Sequence, residues 1–135
     1  MKQVINGKNA VLGRLATYVA KAILNGDEIV IVNAEKVIIT GSPKKIIGNY
    51  LKKRRIGSPK HGPFFPKKPD LILRRTIRGM LPKTTKGRNA FKKLKVHIYT
   101  PKELEKEELK EIATKAVKTN FIYLGELSKS LGWKQ

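Results

Sequence analysis

No cysteine occurs in the chain, which excludes disulfides and any thiolate-based metal or redox chemistry. Acidic residues are scarce, ten against thirty lysines and arginines, and across residues 43–95 the only one is Asp70. Two histidines, His61 and His97, without cysteines or an evident acidic partner, make a poor metal set. The early acids are Asp27, Glu28 and Glu35, and six more fall after residue 95, mostly at spacings that suit the solvent side of a helix. No carboxylate cluster of the kind a metal-dependent nuclease needs is present. Gly41-Ser-Pro-Lys-Lys looks superficially like a phosphate-cradling loop, but it lacks the Gly-x-x-x-x-Gly-Lys-Ser/Thr order that would place a lysine at a nucleotide's terminal phosphates. The sequence therefore predicts no enzyme, no cofactor, no metal and no small-molecule substrate. No apolar run approaches a membrane span, and Met1-Lys2 leads straight into a mixed segment without a signal-peptide pattern, so the expectation is a cytoplasmic protein that does not enter a membrane.

What is abundant is positive charge. The formal net charge is +20 on 135 residues, a length that suits one domain, and 40% of the residues are hydrophobic, enough to build a core. Repulsion on this scale disfavours a compact chain unless a polyanion is normally bound. The charge is also localised. Residues 43–95 carry eighteen basic side chains, whereas the flanking segments are nearly balanced. Solvated faces usually mix signs, so a long one-signed block is the footprint of nucleic-acid binding. Charge alone does not separate RNA from DNA, and a free RNA- or DNA-binding architectural or regulatory protein is the alternative reading.

The elements are readable from pattern. Gln3-Val-Ile is a short strand turned by Asn6-Gly7. Leu12, Leu15, Ala16, Val19, Ala20 and Ile23 form one helical face, stopped at Asn25-Gly26. The β-branched runs Ile29–Val32 and Val37–Thr40 are strands, the first of a kind that is covered on both faces. Ser42 and Pro43 start a helix with Ile46, Ile47, Tyr50 and Leu51 on one side. Residues 52–70, with four prolines and no periodicity, predict an extended basic loop. Leu73, Ile77, Met80 and Leu81 then share a helical face that Pro82 ends. A shorter helix after Gly87 turns Ala90, Phe91 and Leu94 inward. Lys95–Tyr99 is a strand, Thr100-Pro-Lys-Glu has the form of a capping box for a helix burying Leu109, Ile112, Ala113, Ala116 and Val117, and a last short helix spans Glu126–Leu131. Strands alternating with helices predict an α/β core.

The candidate RNA-binding residues follow the charge. Lys44 and Lys45 stand in the first turn of a helix, where the dipole disfavours cations; a phosphate at that end would resolve the conflict, and the alternative is two solvated lysines at a small cost in stability. Lys52, Lys53, Arg54, Arg55, Lys60, His61, Lys67 and Lys68 lie on the predicted loop, where Phe64 and Phe65 either stack on bases or pack on the protein. Arg74, Arg75, Arg78, Lys83, Lys86, Arg88, Lys92 and Lys93 lie on the outer sides of the two short helices. Gly79 and Gly87 are expected to allow turns and a close phosphodiester approach.

The set GRLA (Gly13–Ala16), VNAEKVIITG (Val32–Gly41) and RGMLPKTTKGR leading to LKVHIY (Arg78–Tyr99) resembles the universal large-subunit ribosomal protein thirteen family over almost the whole chain. YLGELSKSLGW (Tyr123–Trp133) and GSPKHGPFFPKKPD (Gly57–Asp70) resemble its archaeal members. The resemblance implies a three-layer α/β/α protein with a mostly parallel central sheet. It also implies binding to large-subunit ribosomal RNA beside neighbouring large-subunit proteins, and a part in subunit assembly.

Overall fold

The computed structural model describes residues 2–55, 66–104, 109–112 and 120–134, with backbone alone at 53–55. In chain order the elements are β1 (Lys2–Asn6), α1 (Leu12–Leu24), β2 (Glu28–Val32), a 3-10 turn (Ala34–Lys36), β3 (Ile38–Thr40), α2 (Pro43–Arg55), α3 (Pro69–Gly79), α4 (Thr85–Phe91), β4 (Leu94–Val96), a second 3-10 turn (Lys102–Leu104), β5 (Lys110–Glu111), β6 (Phe121–Tyr123) and α5 (Leu124–Ser130).

β1 and β2 pair in parallel, Ile5 opposite Ile31, and α1 is the crossover that parallel neighbours require. β4 adds to β2 and β5 to β1, giving the all-parallel order β4-β2-β1-β5. Alternation along the strands divides the apolar residues between two faces. Ile5, Ile29, Ile31, Leu94 and Val96 join the main core with the buried sides of α1 and α3, whereas Val4, Val30 and Val32 point the other way and meet Leu104 and Leu109. β1 and β2 are thus covered on both faces, as the continuous apolar run of β2 predicts. The structure has the expected α/β class with a mostly parallel sheet.

α1 buries Leu12, Leu15, Ala16, Val19, Ala20, Ala22 and Ile23 and ends at Asn25, followed by Gly26 at φ 100°. Only glycine enters that left-handed region without steric cost. Gln3, buried at the start of β1, is fully engaged: its amide donates to Asp27 (3.2 Å) and its carbonyl accepts from Tyr18 (2.9 Å). On α2, Tyr50 packs against the core, and burial raises its hydroxyl pKa above the usual phenol value.

Several boundaries differ from expectation. β3 leaves the main sheet and pairs antiparallel with β6, a strand that residue pattern does not reveal. α2 continues through Arg55, so the first four residues of the expected loop at 52–70 are helical, and α3 begins at Pro69. Lysine and arginine are good helix formers, and apolar periodicity cannot see a helix that runs on past its last apolar residue. Residues 56–65 of that loop, with Lys60, His61, Phe64 and Phe65, lie outside the described residues. α3 ends before Pro82, at Gly79 with Met80 as cap, and α4 starts ahead of Gly87. Leu94 belongs to β4 rather than to a helix.

The helix expected from Thr100 onward is replaced, where described, by the second 3-10 turn and β5. Thr100 does not cap it; its hydroxyl donates to Asn33 Oδ1 (3.2 Å). Lys110 and Glu111 instead satisfy the free edge of β1, a gain in backbone pairing that overrides local helix propensity. Residues 113–119, with Ala113, Ala116 and Val117, lie outside the described residues.

Candidate nucleic-acid interface

α3 and α4 are shaped by opposing demands on their two sides. Pro69 suits the first turn of α3, and Asp70 complements its positive end. Ile72, Leu73 and Ile77 are buried against α1 and the sheet, which leaves Arg75 and Arg78 exposed. Leu81 tucks back into the core just past the helix end. α4 is then capped by Thr84, whose hydroxyl accepts from the Gly87 backbone N–H (3.4 Å). Ala90 faces inward, while Lys83, Lys86, Arg88, Lys92 and Lys93 remain exposed.

Between the two helices lies an open groove of about 650 Å³. Arg75, Arg78, Lys83, Arg88 and Lys92 line it, over a floor of Leu81, Pro82 and half-buried Phe91. No carboxylate lies among its lining residues. Five cations around one concavity produce a focused positive potential. The arginines add planar donor forks that match phosphate oxygens.

Three expectations require correction. Arg74 is not part of this outward set: it is half-buried, its guanidinium donates to the Leu94 carbonyl (3.3 Å) and lies 4.8 Å from the Phe91 ring centroid. It clamps α3 to α4 and β4 through a hydrogen bond and a cation–π contact. Gly87 is buried, and an added Cβ would run into the Pro82 carbonyl. Its missing side chain is required by the chain's own turn. Met80, expected as an anchor, is 43% exposed, and its sulfur accepts from the Thr17 hydroxyl (3.7 Å).

The other candidates are dispersed. Lys44, Lys45 and Lys52 are exposed on α2, none of them lining the groove; Lys53, Arg54 and Arg55 continue that helix. Lys67 and Lys68 are exposed ahead of α3, and Lys93 reaches toward the Gly26 carbonyl (3.5 Å). Sequence reasoning missed Phe91 as part of the groove, because its inward helical phase hid its half-exposed edge. Its position between Arg88 and Lys92 was the available signal.

The chain matches the family described as Ribosomal protein L13 across residues 1–103, a stretch that contains the whole groove. It belongs to that family. Among its relatives is the large ribosomal subunit protein uL13 of Methanocaldococcus jannaschii, 52% identical over 97% of this chain and 98% of the relative. The protein of that name from Methanopyrus kandleri is 48% identical over 97% of this chain and 87% of the relative. That from Thermoplasma acidophilum is 46% identical over 96% and 98%. The archaeal character suggested by the closing YLGELSKSLGW segment is thus met by archaeal relatives that span nearly the entire chain. The family is one of structural ribosomal proteins, and α5, beyond the family match, is covered by these relatives.

Proposed function

We propose that this chain is a structural constituent of the large ribosomal subunit that binds ribosomal RNA through the groove between α3 and α4 and helps the subunit assemble. The observation that carries the reading is the groove itself, five cations converging with no carboxylate among the lining residues. Lys44, Lys45 and Lys52 on α2 and Lys67 and Lys68 before α3 extend the positive surface, where they would hold further phosphates. Neighbouring large-subunit proteins complete its surroundings, and the cytoplasm is its location. Catalysis has no place in this reading.

Salt dependence is the decisive measurement. If the seven exposed cations from Arg75 to Lys93 neutralise phosphates, log K against log salt should have a slope of roughly −5 to −6. A slope near about −2 would reduce the interface to a few contacts. The double substitution Arg78→Ala and Arg88→Ala should flatten that slope by about 2 and leave the folded circular dichroism spectrum intact. Co-sedimentation with large subunits through a high-salt wash separates a resident subunit protein from a free RNA- or DNA-binding regulator.

A further inference from the structure

A second concavity, of about 340 Å³, lies at the carboxyl ends of the parallel strands and shares no lining residue with the basic groove. Open α/β sheets hold ligands at this end, and the volume is of small-ligand size. Its walls carry three aromatic side chains, Tyr99, Tyr123 and Trp133, with Lys8, Lys36 and Lys129 among its other lining residues.

One aromatic wall, Tyr99, is held by a backbone arrangement that is costly in isolation. Tyr99 follows β4 in the left-handed region, φ 62°, where a bulky residue is a true outlier. Its backbone N–H donates to both carboxylate oxygens of Glu35 (3.1 and 3.3 Å), and its carbonyl accepts from the Asn33 N–H (3.1 Å). The residue as a whole is left 46% exposed. Strain of this kind, imposed by surrounding bonds, is typical of ligand clamps. Tyr123 is oriented by its hydroxyl, which donates to Asn9 Oδ1 (3.4 Å), and by edge-to-face contact with Phe121. Trp133 is fixed by its backbone N–H on the Ser128 carbonyl (2.9 Å).

The charges select the ligand. Glu35 is committed to the Tyr99 backbone, which leaves Glu126 as the other lining carboxylate against three lysines. Aromatic faces with an excess of lysines suit a flat ring carrying an anionic group. A cationic side chain would suit the rings but meet the lysines. We infer that this pocket takes a single unstacked nucleotide of an RNA strand, its base against Tyr99, Tyr123 or Trp133 and its phosphate on the lysines. Only the source of the nucleotide rests on the RNA-binding reading above; the pocket chemistry stands apart from the groove.

Trp133 is the chain's sole tryptophan, so its emission reports on the pocket directly. The full-length protein would be titrated with a short single-stranded oligoribonucleotide, adenosine monophosphate, inorganic phosphate and tetra-arginine. The oligoribonucleotide should quench Trp133 and bind more tightly than the mononucleotide. Tyr99→Asn, which removes the ring but suits the left-handed backbone, should weaken that binding by about 5- to 100-fold. Arg78→Ala with Arg88→Ala should leave quenching by the mononucleotide unchanged, which separates failure of the groove from failure of the pocket. Equal quenching by phosphate would reduce the site to charge. Quenching by tetra-arginine but not by nucleotides would make it a cation cage. A mononucleotide bound as tightly as the strand would assign it to free nucleotide. Each of these three results, or no quenching at all, overturns the proposal.

Discussion

Arg74 and Arg75 are adjacent in sequence and do different work. Arg75 lines the basic groove, while Arg74 turns back onto the Leu94 carbonyl and the Phe91 ring. Charge counting cannot tell them apart; helical phase, with Ile77 buried and Arg78 exposed, only begins to. Arg74→Ala should therefore lower stability by about 1–2 kcal/mol, combining a lost cation–π contact with a lost charge-assisted hydrogen bond. Urea melts would show it, and an unchanged midpoint would return Arg74 to the RNA-facing set. Gly87 carries a comparable lesson. Gly87→Ala drives a methyl group toward the Pro82 carbonyl, so the turn must open, at a cost of about 1–3 kcal/mol as for an overpacked core. RNA affinity should drop with it only as far as the turn carrying Lys83 is displaced. A variant of parental stability that loses RNA binding would restore the view that this glycine lets a phosphodiester approach.

Elements with a strong apolar pattern were legible from sequence: α1 and β2 fall where it places them, β1 close to the expected 3–5, and α5 starts two residues ahead of the expected Glu126. What was not legible depends on partners remote in sequence. β5 exists because the edge of β1 is free to be paired, and β6 because β3 has left the main sheet; neither fact is encoded within a ten-residue window. The extension of α2 to Arg55 escaped for the opposite reason, since a solvated run of lysine and arginine has propensity but no pattern. Of the candidate site, the five groove cations were all nominated from charge, and the aromatic pocket was not, because Tyr99, Tyr123 and Trp133 come from separate segments. α2 also supplies a test at its own scale. Lys44 and Lys45 are exposed in its first turn, which holds no acid. Replacing both with glutamate should stabilise the free protein by roughly 0.3–1 kcal/mol per site through the helix dipole. The same change should weaken binding to large-subunit RNA. Parental affinity in the double variant would mark them as ordinary surface lysines.

The whole molecule combines a well-filled core with a net charge of +20, and the two respond to salt in opposite senses. Screening shortens the reach of repulsion from about 30 Å at 0.01 M to about 10 Å at 0.1 M. The melting temperature of the free protein should therefore rise by several degrees between low and moderate salt, while affinity for RNA falls over the same range. Calorimetry on the free chain tests this, and a melting point indifferent to salt would show that repulsion among the cations is already relieved by their spacing. The pairing of β3 with β6 bears on something else, the order in which the chain can be made. Synthesis is vectorial, and at roughly 5–20 residues per second the roughly 80 residues between these two strands take several seconds to appear. α5, which closes over the turn after β2 and packs against α2 and α3, emerges later still. By the end of that interval all eighteen cations of residues 43–95 have been synthesised, while the strand that pairs with β3 has not yet been translated. The nascent protein is a polycation before it is a fold, and on the RNA-binding role proposed above its earliest hazard is capture by whatever RNA lies nearest its own birthplace.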